Sequence, residues 1–228
     1  GISRKDAFDI KYLDQFQAEE IQYIGNLSVN NSCFYREYVL GEDSPEMRAT
    51  SMIISQALQQ PFFTEMRTNQ QLGYIVWSYA RNRDETHYLT FVIQSGAFTA
   101  DDVNQRADDF IATTPEFLSS MDGETFQQLK DSAIEQLEKK PMSIGERANK
   151  LKAFIFEYDA DFLRDEKTIV ALKALEQVSA VDLLSKTVGT DSRRMANFLM
   201  FAEQHKNATG MKSSFKDVNS WKASRSYK

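Results

Sequence analysis

Arg67 and Tyr74, seven positions apart, are the two residues of this chain whose types and spacing best suit chemistry on a carbonyl group. Arg is a permanently charged donor with a forked geometry, and Tyr is a rigid phenolic donor. The two residues flank a predicted junction between a helix end and a strand start, so both side chains could face one groove. Two such donors can bind a peptide carbonyl and the negative charge that grows on its oxygen during attack.

The same residues also allow a purely structural interpretation. Arg67 could pair with Glu65 or Asp84, and Tyr74 could be a half-buried packing aromatic. Gly73, next to Tyr74, is expected to permit a close approach of two backbone segments. On composition alone the structural interpretation would be preferred, so both interpretations stay open at this point.

The two histidines, His87 and His205, form no recognisable catalytic motif. A zinc peptidase commonly has two His one turn apart on one helix, beside a carboxylate that acts as the base. Neither HExxH nor HxxEH occurs in the sequence, and neither does a Gly-x-Ser-x-Gly elbow, a GxGxxG or a P-loop. A Ser–His–Asp or Cys–His arrangement could still assemble in space. Ordinary solvated histidines at loop or strand-end positions are the favoured interpretation.

Charge and hydropathy argue against several classes of partner. The 27 basic and 33 acidic residues give a net charge of −6, and a negative domain repels phosphate backbones, so we expect no nucleic-acid partner. No run approaches the ~18 apolar residues of a membrane helix, and no signal peptide is visible. We expect a soluble protein, either cytoplasmic or periplasmic. The lone Cys33 does not decide between these compartments.

The elements before Arg67 are predicted to be strands followed by a helix. Strands are predicted at 8–13, 21–24 and 33–40. A helix should then begin after Ser44, which can cap its free N–H groups, with Pro45 at the first helical position. This helix should run to about residue 59, because Pro61 is expected to interrupt it, and residues 62–68 should form a second short helix.

The elements after Arg67 are predicted to be a strand pair and then a run of helices. Strands at 72–79 and 88–94 are joined by a fully polar segment, 81–85, that suits an exposed hairpin loop. The later predicted elements are a helix at 103–111 that breaks near Pro115, helices at 126–137 and 151–158, two short helices within 166–187, the second capped by Ser179, and a last strand at 194–202.

This segregated order predicts an α+β fold with an antiparallel sheet of about five to six strands and helices packed on one face. We expect one domain over residues 1–228, with a core at about 20–202 and a polar tail at 203–228. The tail carries six basic residues from Lys206 onward against one acid. A frayed or docked terminus is favoured over a membrane or nucleic-acid contact.

The run Arg67–Val76, of the form Arg-Thr-x-x-Gln-Leu-Gly-Tyr-x-Val, resembles the signature of the C-terminal half of insulinase-type, pitrilysin-like (M16-type) zinc metallopeptidases. These are inverzincins, whose HxxEH motif lies in the N-terminal half. The similarity extends to Asn30–Cys33 and to Tyr88–Ser95, and it covers about residues 20–202. The chain therefore resembles the last, non-catalytic domain of such a peptidase.

The resemblance implies a peptidase of four related αβ domains that enclose a chamber, in which this domain closes over the substrate. It implies that Arg67 and Tyr74 bind substrate by holding the scissile carbonyl and supporting the transition state. It also implies Zn²⁺ in the absent N-terminal half, no metal in this chain, and no protease activity of this chain alone. The implied partners are that zinc-bearing half and peptide substrates.

The alternative belongs to a different class, a non-enzymatic peptide-binding or structural subunit on the same fold. Such a module could bind an extended peptide by adding a strand at an exposed sheet edge.

Overall fold

Five strands form one mixed sheet in the part of the protein that the computed structural model describes, residues 19–83, 85–206 and 210–225. They are β1 (Glu19–Asn26), β2 (Ser32–Glu42), β3 (Ile75–Arg83), β4 (Thr86–Ser95) and β5 (Arg194–Phe201). Their spatial order is β1-β5-β2-β4-β3. β1 runs parallel to β5, and the other neighbouring pairs are antiparallel. The strand predicted at 8–13 lies outside the described residues.

Seven α-helices accompany this sheet within the same residues. They are α1 (Pro45–Phe63), α2 (Ala100–Ser119), α3 (Gly123–Glu138), α4 (Ile144–Phe156), α5 (Arg164–Ala174), α6 (Gln177–Val188) and α7 (Val218–Ala223). A π-helix, Thr64–Asn69, follows α1 directly. Helices α1, α2 and α6 pack against the sheet. The predicted α+β class is confirmed, with the difference that one of the strand pairings is parallel.

The two faces of the sheet differ in character. On the face that meets the helices, Phe34, Tyr38, Phe91 and Leu199 are completely buried. Successive residues of a strand point to opposite faces, so the residues that alternate with the core-facing positions, such as Tyr35 and Glu37 of β2, point to the other face. That second face is called the open face below.

The start of α1 confirms its predicted cap. The Ser44 hydroxyl accepts a hydrogen bond from the Met47 N–H at 3.0 Å, and Pro45 is the first helical residue. The predicted interruption at Pro61 is wrong, because α1 continues to Phe63 and then widens into the π-helix. A proline inside a helix costs about 3 kcal/mol. Burial of Phe62, whose ring centroid lies 5.0 Å from that of a core phenylalanine, offsets this cost.

The predicted break near Pro115 is also wrong, since α2 runs on to Ser119. Pro115 has no N–H to donate to the Ile111 carbonyl one turn earlier. The Thr114 hydroxyl donates to that carbonyl at 2.7 Å instead. A neighbouring side chain therefore replaces the missing backbone hydrogen bond, and the helix continues.

The β3–β4 hairpin is longer at its tip than predicted. β3 extends to Arg83 and β4 begins at Thr86, so most of the predicted loop at 81–85 belongs to the strands. Arg81 Nε and Arg83 Nη2 each donate to the Glu37 carboxylate at 3.1 Å across the open face. These long-range ion pairs order residues whose polarity alone suggests a loop.

Further boundaries differ from their predictions, among them the starts of α6, α4 and β3, and α4 begins at Ile144 rather than at residue 151. α6 begins at Gln177 rather than after Ser179, because the Gln177 side chain donates to the Leu118 and Met121 carbonyls at 2.8 Å and fixes the helix start against the end of α2. β3 begins at Ile75 rather than at residue 72.

Both edges of the sheet are partly covered. At the β1 edge, Ser213 and Ser214 of the tail accept hydrogen bonds from the Ile24 and Gln22 N–H groups at 2.9 Å. At the β3 edge, the Ala80 N–H donates to the Ser55 hydroxyl of α1 at 2.9 Å. The described part of the tail is therefore docked, and strand addition at either edge would have to displace these contacts.

Candidate functional site

Arg67 and Tyr74 lie in direct contact. Arg67 belongs to the π-helix, and Tyr74 immediately precedes β3. The Arg67 Nη1 donates to the Tyr74 carbonyl oxygen at 2.6 Å. Its guanidinium carbon lies 4.5 Å from the Tyr74 ring centroid and 5.2 Å from the Phe63 ring centroid. The structure thus brings together the two residues that the sequence singles out.

The connection between them is fixed by backbone contacts. The Leu72 N–H donates to the Met66 carbonyl at 2.9 Å, and the Leu72 side chain is buried. Gln71 has a φ of 54°, in the left-handed region of backbone conformation that residues other than glycine seldom adopt. The chain therefore turns sharply between the π-helix and β3 and returns Tyr74 toward Arg67.

Gly73 confirms the predicted close approach. A Cβ built on Gly73 would lie 1.8 Å from the Gln94 carbonyl oxygen of β4, a distance that no side chain permits. The absence of a side chain at Gly73 lets this connection lie against the sheet, and the Tyr74 side chain faces away from the core.

Tyr74 is not half-buried, as the structural interpretation expected, because it is 80% exposed. The predicted pairing of Arg67 with Glu65 is not observed either, since the Glu65 carboxylate accepts from Asn69 and Gln70 at 2.7 and 2.8 Å. Asp84 lies outside the described residues. Within the described part of the chain, Arg67 Nε and Nη2 have no hydrogen-bond acceptor, which leaves them available as donors.

Trp77 is a second exposed aromatic residue, close to this pair in sequence, and it was not predicted as part of the site. It lies on β3 three residues beyond Tyr74 and is 57% exposed. The alternation of Ile75, Trp77 and Tyr79 with small or buried residues places these three side chains on the open face. That period of two was the signal available in the sequence.

Neither of two cavities lined by described residues includes this pair. The first, of about 630 Å³, is lined by Thr64 of the π-helix and Phe110 of α2, and Arg67 and Tyr74 do not line it. A second cavity, of about 340 Å³ between α1, α3 and α5, does not include them either. A ligand of this pair would therefore need a second surface to enclose it.

The prediction that His87 is solvated is wrong. His87 lies on β4, is 5% exposed, and sits between two polar side chains. Its Nδ1 lies 3.0 Å from the Ser51 hydroxyl, and its Nε2 lies 2.7 Å from the Asp43 carboxylate. Ser51, His87 and Asp43 thus lie side by side in the order Ser–His–Asp. Because they are far apart in the sequence, no motif indicates this arrangement.

This second cluster is built for stability rather than for nucleophilic attack. Ser51 lies inside α1, is 3% exposed, and donates its hydroxyl proton to the Arg48 carbonyl at 3.0 Å. Arg48 and Arg164 both donate to Asp43. Although burial raises the pKa of Asp43, hydrogen bonds from His87, Arg48 and Arg164 hold that pKa well below its usual range. The carboxylate joins α1, β4 and α5 through these hydrogen bonds.

The described ranges hold no group of three or more His, Cys, Asp or Glu side chains arranged to bind a metal ion. The residues therefore do not fit a zinc centre. His205 lies in a single 3₁₀ turn after β5, apart from the other histidine. In the same ranges, no helix has both the length and the apolar character needed to cross a membrane.

Comparison with known proteins connects this geometry to a family. Residues 53–152, which include both Arg67 and Tyr74, match the model of the C-terminal lobe domain 4 of PQQ synthase PqqF-like proteins. The chain is 26% identical over 183 residues to the insulin-degrading enzyme of Drosophila melanogaster, and that match covers 78% of this chain. The chain therefore resembles the C-terminal domains of the M16, insulinase type, and is called the M16 domain below.

Other M16 relatives agree with this assignment. The chain is 26% identical over 148 residues to protease 3 of Escherichia coli K12, which covers 65% of this chain. The crystal structure of pitrilysin superimposes with a TM-score of 0.84 at 20% identity and covers 96% of this chain. An M16 inactive domain from Pseudomonas fluorescens superimposes with a TM-score of 0.59 at 17% identity over 80% of this chain. At these identities the two superpositions show a shared fold.

The M16 domain is much shorter than its relatives. It spans 18% of the Drosophila enzyme, 15% of protease 3 and 24% of the pitrilysin chain. These matches therefore cover only a small part of each whole relative.

Proposed function

We propose that this M16 domain holds peptide substrate for a zinc endopeptidase whose catalytic centre lies in another half of the protein. In this proposal the Tyr74 phenol and the Arg67 guanidinium bind the carbonyl oxygen of the scissile peptide bond. The single observation that carries the proposal is the exposed Tyr74 side chain, against which lies a guanidinium whose Nε and Nη2 have no acceptor among the described residues.

The geometry suits a developing oxyanion better than a neutral carbonyl. The Arg67 cation lies against the Tyr74 ring, so a positive charge stands next to the phenolic donor. Because Arg67 Nη1 is already fixed on a backbone carbonyl, the guanidinium is positioned before substrate arrives. Preorganised donors of this kind contribute most where charge grows in the transition state.

The zinc ion is proposed for the N-terminal half, because the described residues of this domain do not fit a metal site. When bound there it would supply the metal-assisted attack on the peptide bond. The contribution of this domain is limited to binding and orienting the carbonyl and to covering the site. We expect this domain alone to be inactive.

The exposed character of the site supports a role in closing a chamber. Tyr74 is 80% exposed, so a peptide carbonyl bound to it alone would stay in water. A facing half would exclude that water and strengthen the hydrogen bonds to the carbonyl. The non-enzymatic alternative by strand addition is less favoured, because both sheet edges are partly covered.

The test is hydrolysis of a quenched fluorescent peptide by the zinc-bearing half, with and without this M16 domain. Wild type is compared with Arg67→Ala and Tyr74→Phe, and with Tyr158→Phe as a matched control. Tyr158 also stacks on an arginine, with 3.9 Å between ring centroid and guanidinium, but it lies on the helical side away from the site.

We expect wild type and the Tyr158 variant to restore hydrolysis and the two site variants to fail. Equal restoration by all four proteins would make Arg67 and Tyr74 structural. No restoration with a folded, metal-loaded zinc half would favour the non-enzymatic alternative.

A further inference from the structure

Helix α4 leaves an apolar stripe uncovered. Met142, Ile144, Leu151 and Ile155, here called the α4 apolar surface, are all exposed, with Ile144 at 91% and Met142 at 84%. Ile144, Leu151 and Ile155 are spaced by seven and four residues, so they share one face of the helix. These three side chains thus form a ridge along the helix, and Met142 lies just before its first residue.

The attachment of α4 to the rest of the domain is slight. Phe154 is its one buried residue within the described chain, packed against Phe162 at a centroid distance of 6.1 Å. An ion pair between Lys150 and Asp165 at 2.6 Å links it to α5. A surface helix normally buries an apolar stripe at least 100° wide. Here the stripe points outward, and soluble proteins seldom leave such ridges uncovered unless they are contact surfaces.

The charges around the ridge indicate which chemical groups its partner should carry. Residues 139–156 contain five basic side chains and one acid, Glu146. Arg147 and Lys152 flank the ridge on its two sides and make no ion pair with the described residues. A surface that receives this helix therefore needs an apolar groove with carboxylates along its rim.

We infer that the α4 apolar surface docks into an acid-rimmed apolar groove on another domain of the same polypeptide. The inference rests on the proposal that this M16 domain is part of a longer chain. The length of its relatives supports another domain as the occupant. The pitrilysin structure matches 96% of this chain, and the matched part is 24% of the pitrilysin chain. A basic amphipathic helix can also bind an anionic membrane, but the net charge of −6 opposes approach to such a surface.

The test measures accessibility of the ridge by thiol labelling with a maleimide. Ile144→Cys and Ile155→Cys are made in this M16 domain alone and in the longer polypeptide, and the modified site is located by mass spectrometry. Val178→Cys on α6, a position 56% exposed and away from the ridge, is the matched control. We expect the two ridge positions to react at least about tenfold more slowly in the longer polypeptide, as for groups accessible only by local opening. The control should react equally in both.

Several results would overturn the inference. Equal labelling of the ridge in both proteins leaves no docked state. Protection that grows with the concentration of this domain alone, with dimers in sedimentation, indicates a second copy as the occupant. Protection only in the presence of phosphatidylserine vesicles indicates a membrane. A reading frame that encodes no further domain removes the proposed partner. None of these readouts depends on Tyr74, so failure here is distinct from failure of the proposed peptidase role.

Discussion

The Arg67 guanidinium contacts Tyr74 in two ways. Its Nη1 donates a hydrogen bond to the Tyr74 carbonyl oxygen at 2.6 Å, and its central carbon lies 4.5 Å from the centroid of the Tyr74 ring. Replacing Arg67 therefore removes one donor and also the support of the other. Replacing the Tyr74 phenol alone leaves the guanidinium in place. Because the two residues form one unit, we expect their effects on turnover to be strongly non-additive.

Tyr74→Phe is the sharper of the two changes for testing the proposed role. Phenylalanine keeps the ring over which Arg67 lies and removes one exposed hydroxyl. Losing one oxyanion donor costs about 10²–10³ in kcat in a well-studied protease. We expect a loss of this order in steady-state kinetics of the assembled peptidase, with little change in KM and with the thermal unfolding of this M16 domain unaltered.

Tyr158→Phe provides the reference for that experiment, since it makes the same chemical change under another arginine. A large rise in KM with unchanged kcat for Tyr74→Phe would indicate uniform substrate binding and contradict the transition-state role.

Gly73→Ala should disrupt the support of the site. The new Cβ would lie 1.8 Å from the Gln94 carbonyl oxygen, so the backbone of the connection or of β4 must move. We expect a loss of about 2–4 kcal/mol in unfolding free energy, the range of severe overpacking, measured by urea denaturation.

Gly123→Ala is the matched control for this substitution. Gly123 begins α3, and a Cβ there meets nothing within 4 Å. Alanine should be neutral or stabilising at this position by up to about 1 kcal/mol. Equal urea midpoints for the two variants would refute the steric argument at Gly73.

Asp43 should make the stability of this domain depend on acid pH. Its folded-state pKa is lowered by hydrogen bonds from His87, Arg48 and Arg164, so the stability it contributes is present above its ordinary range near pH 4 and is lost as the pH falls further. Asp43→Asn leaves two arginines without their anion, and we expect it to cost about 3 kcal/mol at pH 7.

Measured by urea denaturation from pH 7 to pH 3, the difference between wild type and Asp43→Asn should shrink with acidification. The exposed Asp191→Asn serves as a control and should follow wild type throughout. A difference that is constant down to pH 3 would show that Asp43 contributes no stability through its charge.

Features of this fold that depend on a few neighbouring residues could be predicted from the sequence. The cap at Ser44 and the close approach at Gly73 follow from residue type, and both are observed. His87 illustrates the opposite case, because its two partners lie 36 and 44 positions away and no periodicity indicates them. The strand character of Arg81 likewise depends on a carboxylate 44 positions away on β2.

The site itself was predictable in part. The spacing of Arg67 and Tyr74 indicated their common location, but the exposure of the phenol and the stacking of the guanidinium required the fold. Trp77 was readable from strand alternation once β3 was placed. The α4 apolar surface was not readable, because an apolar stripe at helical spacing ordinarily predicts a core face.

Thr114 explains why Pro115 does not break α2, and this explanation can be tested by one pair of variants. The Ile111 carbonyl has lost its backbone donor to Pro115 and receives the Thr114 hydroxyl at 2.7 Å. Thr114→Val removes the hydroxyl and keeps the shape, so a buried carbonyl loses its partner. Thr113→Val is the matched control. The Thr113 hydroxyl donates to the Phe110 carbonyl at 2.8 Å, but that carbonyl also accepts the N–H of the residue one turn later. We therefore expect Thr114→Val to lower the unfolding free energy by about 1–2 kcal/mol more than Thr113→Val, measured by urea denaturation. If the two variants lose the same stability, the hydroxyl is not what carries the helix past the proline.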